Sequence, residues 1–472
     1  MVNNSPSALP SDREILAWLE LIASESFFDQ LAAAHKLRVR KRIYPWSVVV
    51  ALMVMQRLQA PGTLASVVQY FAHQVSSGGA RSKRRTAGKS SQSTPKRARC
   101  NRARKSPVST ATGAYCQARK RMPTLVASQV NVHIFEQLWS RVQTTASESI
   151  FMVDGSTLQL EHEPDLVEKL PPGHNQHGDN HWPMLLIVAF HDTRTGLATQ
   201  PVWGPKYGPN ATSETGLARQ ALDRLPLEAL VLADSNFGIF AFGHAVQHSG
   251  RRMVLRLTVS RANAITRGIL PPLGTHRKVV WSASRWDRKK HPDLPTDAQL
   301  QGWVVAARNP SKRTEKMYFF TTVDPDSTDI LELYKERWNI ETDLRALKRT
   351  VHLHHIYSRS VEMVEKELLM AVSAYNLVRA IQFLAAERAG IAPRELSFAT
   401  VQAAVLAALP HFHRAASAEE LQERMELLLY YAGRATLPQR KRKRSYPREV
   451  WGRGGSFPSR QPKSEPAKEK QR

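Results

Sequence analysis

Cysteine is nearly absent: Cys100 and Cys116 are the only two in 472 residues, sixteen positions apart in a basic stretch without the paired CxxC spacing of a zinc site. A disulfide framework is therefore excluded as the source of stability, and a reducing cytoplasm is the expected compartment. Acid is missing from a long tract, since no Asp or Glu occurs between Leu31 and Phe135 while Lys and Arg recur throughout. Long apolar runs are lacking too. The longest, VVVALMVM at 48–55, is far too short to span a bilayer. The amino-terminal MVNNSPSALPSDRE has no charged stretch followed by an apolar one, so no export signal or membrane partner is expected.

What is present is positive charge. With 67 Lys and Arg against 41 Asp and Glu, the net charge is +26, and 42% apolar residues suffice for a large core in two or three domains. Such an excess recruits polyanions by counterion release, which points to nucleic acid. Residues 1–75 read as an all-helical amino-terminal domain. Ser11 and Glu14 form a capping box, the breaker Ala60-Pro61-Gly62 separates two helical runs, and a basic run from Lys36 to Arg42 lies between helices. Residues 76–110 are a linker of Ser, Gly, Lys and Arg with too little apolar surface to order itself. Its Gly88-Lys89-Ser90 is not a phosphate loop, because the required upstream glycine is Lys83. Next, Tyr115, Arg119, Lys120 and Arg121 open a helical stretch whose basic start is offered to DNA. The tail over 436–472, with QRKRKR, reads as basic and unstructured.

Three acids follow apolar runs or sit among cations. Asp154 lies in the strand-like FMVDGSTLQL and Asp234 in LVLADSNFG, each just before a turn-prone Gly or Ser-Asn. The third, Glu341, belongs to YKERWNIETDLRALK, which places Tyr334, Arg337, Glu341 and Lys348 at intervals of three, four and seven along one helix. At about 100° per residue, Tyr334, Glu341, Arg345 and Lys348 share a narrow stripe with Arg337 beside it. Leu333, Ile340, Leu344 and Leu347 form a neighbouring apolar face. Taken alone, that stripe equally describes a solvated face laced by i,i+4 ion pairs. Around it, strands are expected over 150–160, 184–191, 197–203, 230–233 and 253–259, with helices over 213–225 and 239–248. An antiparallel meander leading into alternating helices and strands gives a mixed sheet covered on both faces.

These segments, with IYSRS and EKELLMAVSAYNLVRA after them, resemble the DDE-type transposases of bacterial insertion sequences, in particular the cut-and-paste group with the Tyr-Arg-Glu-Lys signature. The resemblance covers roughly 110–390. It implies an α/β fold: an RNase H-like mixed-sheet catalytic domain in two parts, 111–260 and 325–390, with a β-rich insertion at 261–324 and a helical carboxyl-terminal region at 391–435. It implies a DNA transposase that binds the inverted repeats of its own element through the amino-terminal domain, then cuts and joins strands. Two Mg²⁺ ions, with Mn²⁺ as an acceptable substitute, would be held by Asp154 as bridging ligand and by Asp234 and Glu341 completing one ion each. Tyr334, Arg337, Arg345 and Lys348 would hold DNA phosphates. Also implied are a hairpin intermediate, double-stranded DNA of the element ends and target as partner, a homodimer bridging two ends, and a cytoplasmic, nucleoid-associated location. One of Trp281, Trp286 and Trp303, among Arg285, Arg288, Lys289 and Lys290, would stack an extruded base, although any given one of the three fits better as filler of a β-hairpin core. Competing readings are a related nuclease that cuts without joining, a domesticated non-catalytic DNA-binding protein, and a general basic nucleoid binder.

Two clusters stand aside from this scheme. His174, His177, Asp179 and His181, and Glu161-His162-Glu163, have metal-like density but read as polar surface loop. His352, His354 and His355 follow the signature segment and are expected near DNA.

Overall fold

In the computed structural model, which describes residues 25–38, 43–59, 62–81, 109–142, 148–175, 178–309, 316–412 and 418–438, three helices come first. They are α1 (Glu25–Ala34), α2 (Trp46–Leu58) and α3 (Leu64–Arg81). α3 runs past His73 into the expected linker, most of which, like the Ser11 helix start, lies outside the described residues. α4 (Gly113–Arg121) and α5 (Thr124–Val142) lead into the sheet region, where β1 (Ile150–Gln159) is followed by α6 (Pro164–Lys169), β2 (Pro172–Asn175), β3 (Gly178–Asp192) and β4 (Val202–Pro205). Then come α7 (Glu214–Ala221), β5 (Leu230–Ala233), α8 (Phe240–His248), β6 (Arg252–Leu257) and α9 (Val259–Ile265). The strand expected over 197–203 is shorter and later, with Ala198 making an isolated bridge to His191.

β1, β3 and β4 pair antiparallel, whereas β5 and β6 run parallel to β1. The order β4-β3-β1-β5-β6 is a mixed sheet and fits an RNase H-like α/β fold. Beyond β6 the sheet continues. β7 (His276–Ser282), α10 (Arg285–Lys290), β8 (Gln299–Arg308) and β9 (Lys316–Thr321) follow in the chain, and β9 pairs with β6 to give the order β6-β9-β8-β7. The β-rich segment is thus an extension of the central sheet; β6 would otherwise present an unpaired edge.

The signature segment is helical but not one regular helix. α11 (Ile330–Lys335) passes through a 3₁₀ turn at Glu336–Trp338 into α12 (Asn339–Arg345) and then a π turn at Ala346–Thr350. α13 (Val361–Ala389) follows, started by the Ser360 hydroxyl accepting from the Met363 amide and stopped at Gly390 with φ 66°. By length and composition α13 could cross a membrane, yet its apolar window is wholly buried among α2, α5, α14 (Phe398–Phe412) and α15 (Ala418–Gly433). Polar anchors fix it there: Asn131 of α5 donates to the Leu369 carbonyl at 3.0 Å, and Asn376 and Ala198 exchange two hydrogen bonds of 2.8 Å. Of two compact units, Met1–Thr436 and Leu437–Arg472, the first contains all of these elements.

Candidate active site

Met152 and Asp154 stand two residues apart on β1 and so share one face of the sheet. Ile340 and Leu344 of α12 pack on Met152, which brings Glu341, next to Ile340, toward Asp154. On the neighbouring strand β5 the register pairs Val153 with Ala233. Asp154 and Asp234 are therefore the next pair along two parallel strands that run about 4.8 Å apart. Asp234 leaves its strand in a tight turn, its Oδ1 accepting from the Asn236 amide at 2.9 Å, while Asp154 Oδ1 accepts from the Gly155 amide at 2.8 Å.

Arg337, in the 3₁₀ turn, lies between two of the acids. Its Nη1 is 3.9 Å from Asp154 Oδ2 and its Nη2 3.8 Å from Glu341 Oε1, with the arginine side chain 7% exposed. The guanidinium also sits near the rings of Tyr334 and Trp338. Tyr334 packs on Phe319 of β9, and its hydroxyl and Arg337 Nε, both buried, lie close together without reaching hydrogen-bond geometry with any described group. Lys348, in the π turn, donates to the Thr157 carbonyl at 3.0 Å, and Arg345 is exposed at the end of α12. Burial pushes the Asp154 carboxyl up to about 6, overcoming the Gly155 amide and Arg337, which pull it down, while like charge from Asp234 and Glu214 adds to the rise.

Glu214 was not foreseen. It stands in the first turn of α7, and its Oε2 accepts from the Asn236 side chain at 2.6 Å. Gly155 lies inside β1, within the strand expected there, and a Cβ on it would fall 2.4 Å from Glu214 Cγ. A glycine within a strand signals such a close approach, but Ser213-Glu214 by itself reads as no more than a helix start.

Among the described residues, no three His, Cys, Asp or Glu side chains are already gathered tightly enough to clasp an ion, Glu341 being engaged with Arg337. The donor chemistry nevertheless fits a hard divalent cation: all the groups are carboxylates, and burial plus like charge on Asp154 makes added positive charge favourable there. Glu341 is 46% exposed and carries the side-chain freedom to turn inward.

Other sequence candidates separate. Arg119 is buried and, with Arg57 of α2, ion-pairs with Glu367 of α13, so it holds helices together instead of lying on the exposed basic start expected of it. Lys120 and Arg121 remain exposed at the end of α4. Trp281 packs into the core against Phe240 and Phe320, which removes it as a stacking platform. Trp303 is half-buried beneath Lys278, whereas Trp286 on α10 is 60% exposed with Lys290 over its ring. Trp286 borders a cleft shared with Arg261, which donates to the Ser235 carbonyl at 2.7 Å, one residue from Asp234. His174 and His181 sit on the β2–β3 hairpin, His181 stacked on His162, and His177 lies outside the described residues. His352 and His355 accept Arg57 through their backbone carbonyls.

Three comparisons bear on this arrangement. Residues 145–377 match the family model described as the transposase DDE domain. The chain is 26% identical over 292 residues to "Transposase InsG for insertion sequence element IS4" of Escherichia coli strain K12, covering 60% of this chain and 63% of that protein, so the match spans less than two thirds of the relative's length. A cryo-EM structure of the piggyBac transposase synaptic complex with hairpin DNA aligns over 62% of this chain and 59% of that one, at 10% identity and a TM-score of 0.35, too loose to support any argument. Residues 145–377 are thus similar to a transposase DDE domain, and the chain is similar to the transposases of insertion sequences.

Proposed function

We propose that the chain excises its element and joins it to new DNA, with Asp154, Asp234 and Glu341 as the metal-holding acids and with the Tyr-Arg-Glu-Lys signature formed by Tyr334, Arg337, Glu341 and Lys348. The observation that carries this reading is Arg337 flanked by Asp154 and Glu341, with Asp234 one strand away at the same register. Divalent ions of the Mg²⁺ class bound there would lower the pKa of a water or a terminal hydroxyl and offset charge building on the phosphate. The protein's share is positioning. Arg337, whose buried Nε lies beside the Tyr334 hydroxyl and reaches no hydrogen-bond geometry among the described residues, is suited to fork onto a phosphate beside the scissile bond, and Tyr334 limits that fork's freedom. Lys348 and Arg345 extend the same cationic line along the DNA. Trp286 is the aromatic ring placed to stack an extruded base near Asp234, in keeping with a hairpin at the excised end. The element's ends and the target are double-stranded DNA, brought together by a homodimer, and the amino-terminal helices read the repeats.

The test is a duplex carrying the inverted repeats that flank the coding region, incubated with the chain and Mg²⁺. Nicked and joined products are expected, each falling at least ~100-fold in Asp154→Ala, Asp234→Ala and Glu341→Ala while DNA binding persists. Nicking without joining would identify a nuclease instead, and binding without either would identify a non-catalytic DNA-binding protein.

A further inference from the structure

A cleft of about 670 Å³ lies between the end of α2 and the segment that leaves the signature turns, lined among others by Arg57 of α2, Arg119 of α4, His352, His355 and Tyr357. The three-acid reading makes no use of it. Its floor is cationic. Arg57 and Arg119, both buried, share the single carboxylate of Glu367, which leaves one positive charge over. Arg57 is engaged on both sides, since its Nη1 also donates to the His352 and His355 carbonyls at 3.2 Å. Arg119 is not. Its clasp on Glu367 uses Nη2 alone, and its Nε is buried and meets no acceptor among the described residues, an arrangement that a clasp between helices does not require and that costs free energy while it stays unmade.

The wall of the cleft is aromatic. Past Lys348 the chain turns at His352, with φ 57°, and brings three rings together: the centroids of His354 and His355 are 3.8 Å apart, and Tyr357 stacks on His355 at 5.9 Å with 15° between the planes. Tyr357 is 69% exposed, so ring surface is open to a ligand. His354 ties the group to the signature, its Nδ1 donating to the Lys348 carbonyl. An open ring beside a guanidinium suits a nucleotide, because every base has a π face to stack and its phosphate accepts from arginine. In a duplex both faces of a base are covered by its neighbours, so only an unpaired nucleotide can use the ring.

We propose that this cleft holds one unpaired nucleotide of a DNA strand, its base against Tyr357 and His355 and its phosphate toward Arg119. The proposal rests on the DNA-processing reading above and adds to it a stacking site distinct from Trp286.

The experiment uses the full chain in EDTA, so that no cutting occurs, and a strand of thymidines carrying one 5-iodouracil, either alone or annealed to its complement. Ultraviolet light links 5-iodouracil to an aromatic side chain it stacks on, and peptide mapping places the link. The expected result is a link at Tyr357 or His355 from the single strand, with a yield ~10-fold lower or less from the duplex and in Tyr357→Ala, and restored in Tyr357→Phe, which keeps the ring. Tyr357 is exposed, so its truncation leaves the fold intact, as thermal melting checks. Links confined to other segments, an equal yield from the duplex, an undiminished yield in Tyr357→Ala or a loss as complete in Tyr357→Phe would each overturn the site. Thymidine 5′-phosphate that suppresses the link as well as the same concentration of strand would identify a free nucleotide as the occupant and overturn the assignment to DNA. Because the readout needs no metal, a missing link in a chain that still cuts and joins DNA overturns this site alone, whereas a link in a chain that neither cuts nor joins overturns the catalytic reading and leaves the site standing.

Discussion

Asp154 illustrates how function is taken at the expense of stability. Its carboxyl is buried among other acids and meets Arg337 only at 3.9 Å, too far for a strong charge-assisted hydrogen bond, so the burial penalty wins and the group titrates at about 6. A folded-state value above the unfolded one means that the metal-free fold binds this proton more tightly. The stability cost is absent below about pH 4, grows between about 4 and 6, and is complete above that. In EDTA, Asp154→Asn should therefore raise unfolding free energy at pH 7.5 by ~1–3 kcal/mol and make no difference near pH 4, as read by urea titration at the two values. A loss of stability at pH 7.5 would mean that Arg337 dominates after all.

The signature segment holds its shape through an acid that faces away from the chemistry. Asp343, two residues past Glu341 and fully buried, accepts from Arg379 of α13 and, at 2.9 and 3.1 Å, from Arg394. Burial alone would raise its carboxyl, but the two guanidinium groups overcome this and hold it low. Removing it strands the buried Arg379 and the half-buried Arg394, so Asp343→Ala should lose ~3–5 kcal/mol by chemical denaturation, and a loss under ~1 kcal/mol would contradict this account. The sequence reading placed Arg337 and Glu341 correctly as i,i+4 neighbours because that spacing is local. It missed Asp343 because an acid in a charged helix resembles a surface residue when its partners lie 36 and 51 positions away. It also took the segment as one uniform helix. The 3₁₀ and π turns reset the angular register that a constant 100° per residue assumes, and such irregular turns often mark functional sites. Apolar strands such as LVLA were legible from their run length, whereas the insertion's continuity with the central sheet depends on the long-range pairing of β6 with β9.

Across the molecule, distant segments depend on one another for the site to exist. β1 and β5 supply two acids, α12 the third, and α7 approaches from the other face of the sheet. The acid-free tract is tied into the same body, since Arg57 and Arg119 close on Glu367 at the start of the long buried helix α13. Under the proposed function, positive charge beyond these pairs is what would meet DNA, and that attraction would fall as salt rises. What matters most is whether Asp154, Asp234 and Glu341 surround a common ion. Replacing the natural metal with Fe²⁺ and triggering hydroxyl-radical cleavage of the backbone with ascorbate and peroxide reads this directly. Cuts are predicted near residues 154, 234 and 341 together, all disappearing in Asp154→Ala; cuts that spare any one of the three segments, or that persist in that variant, would contradict the account.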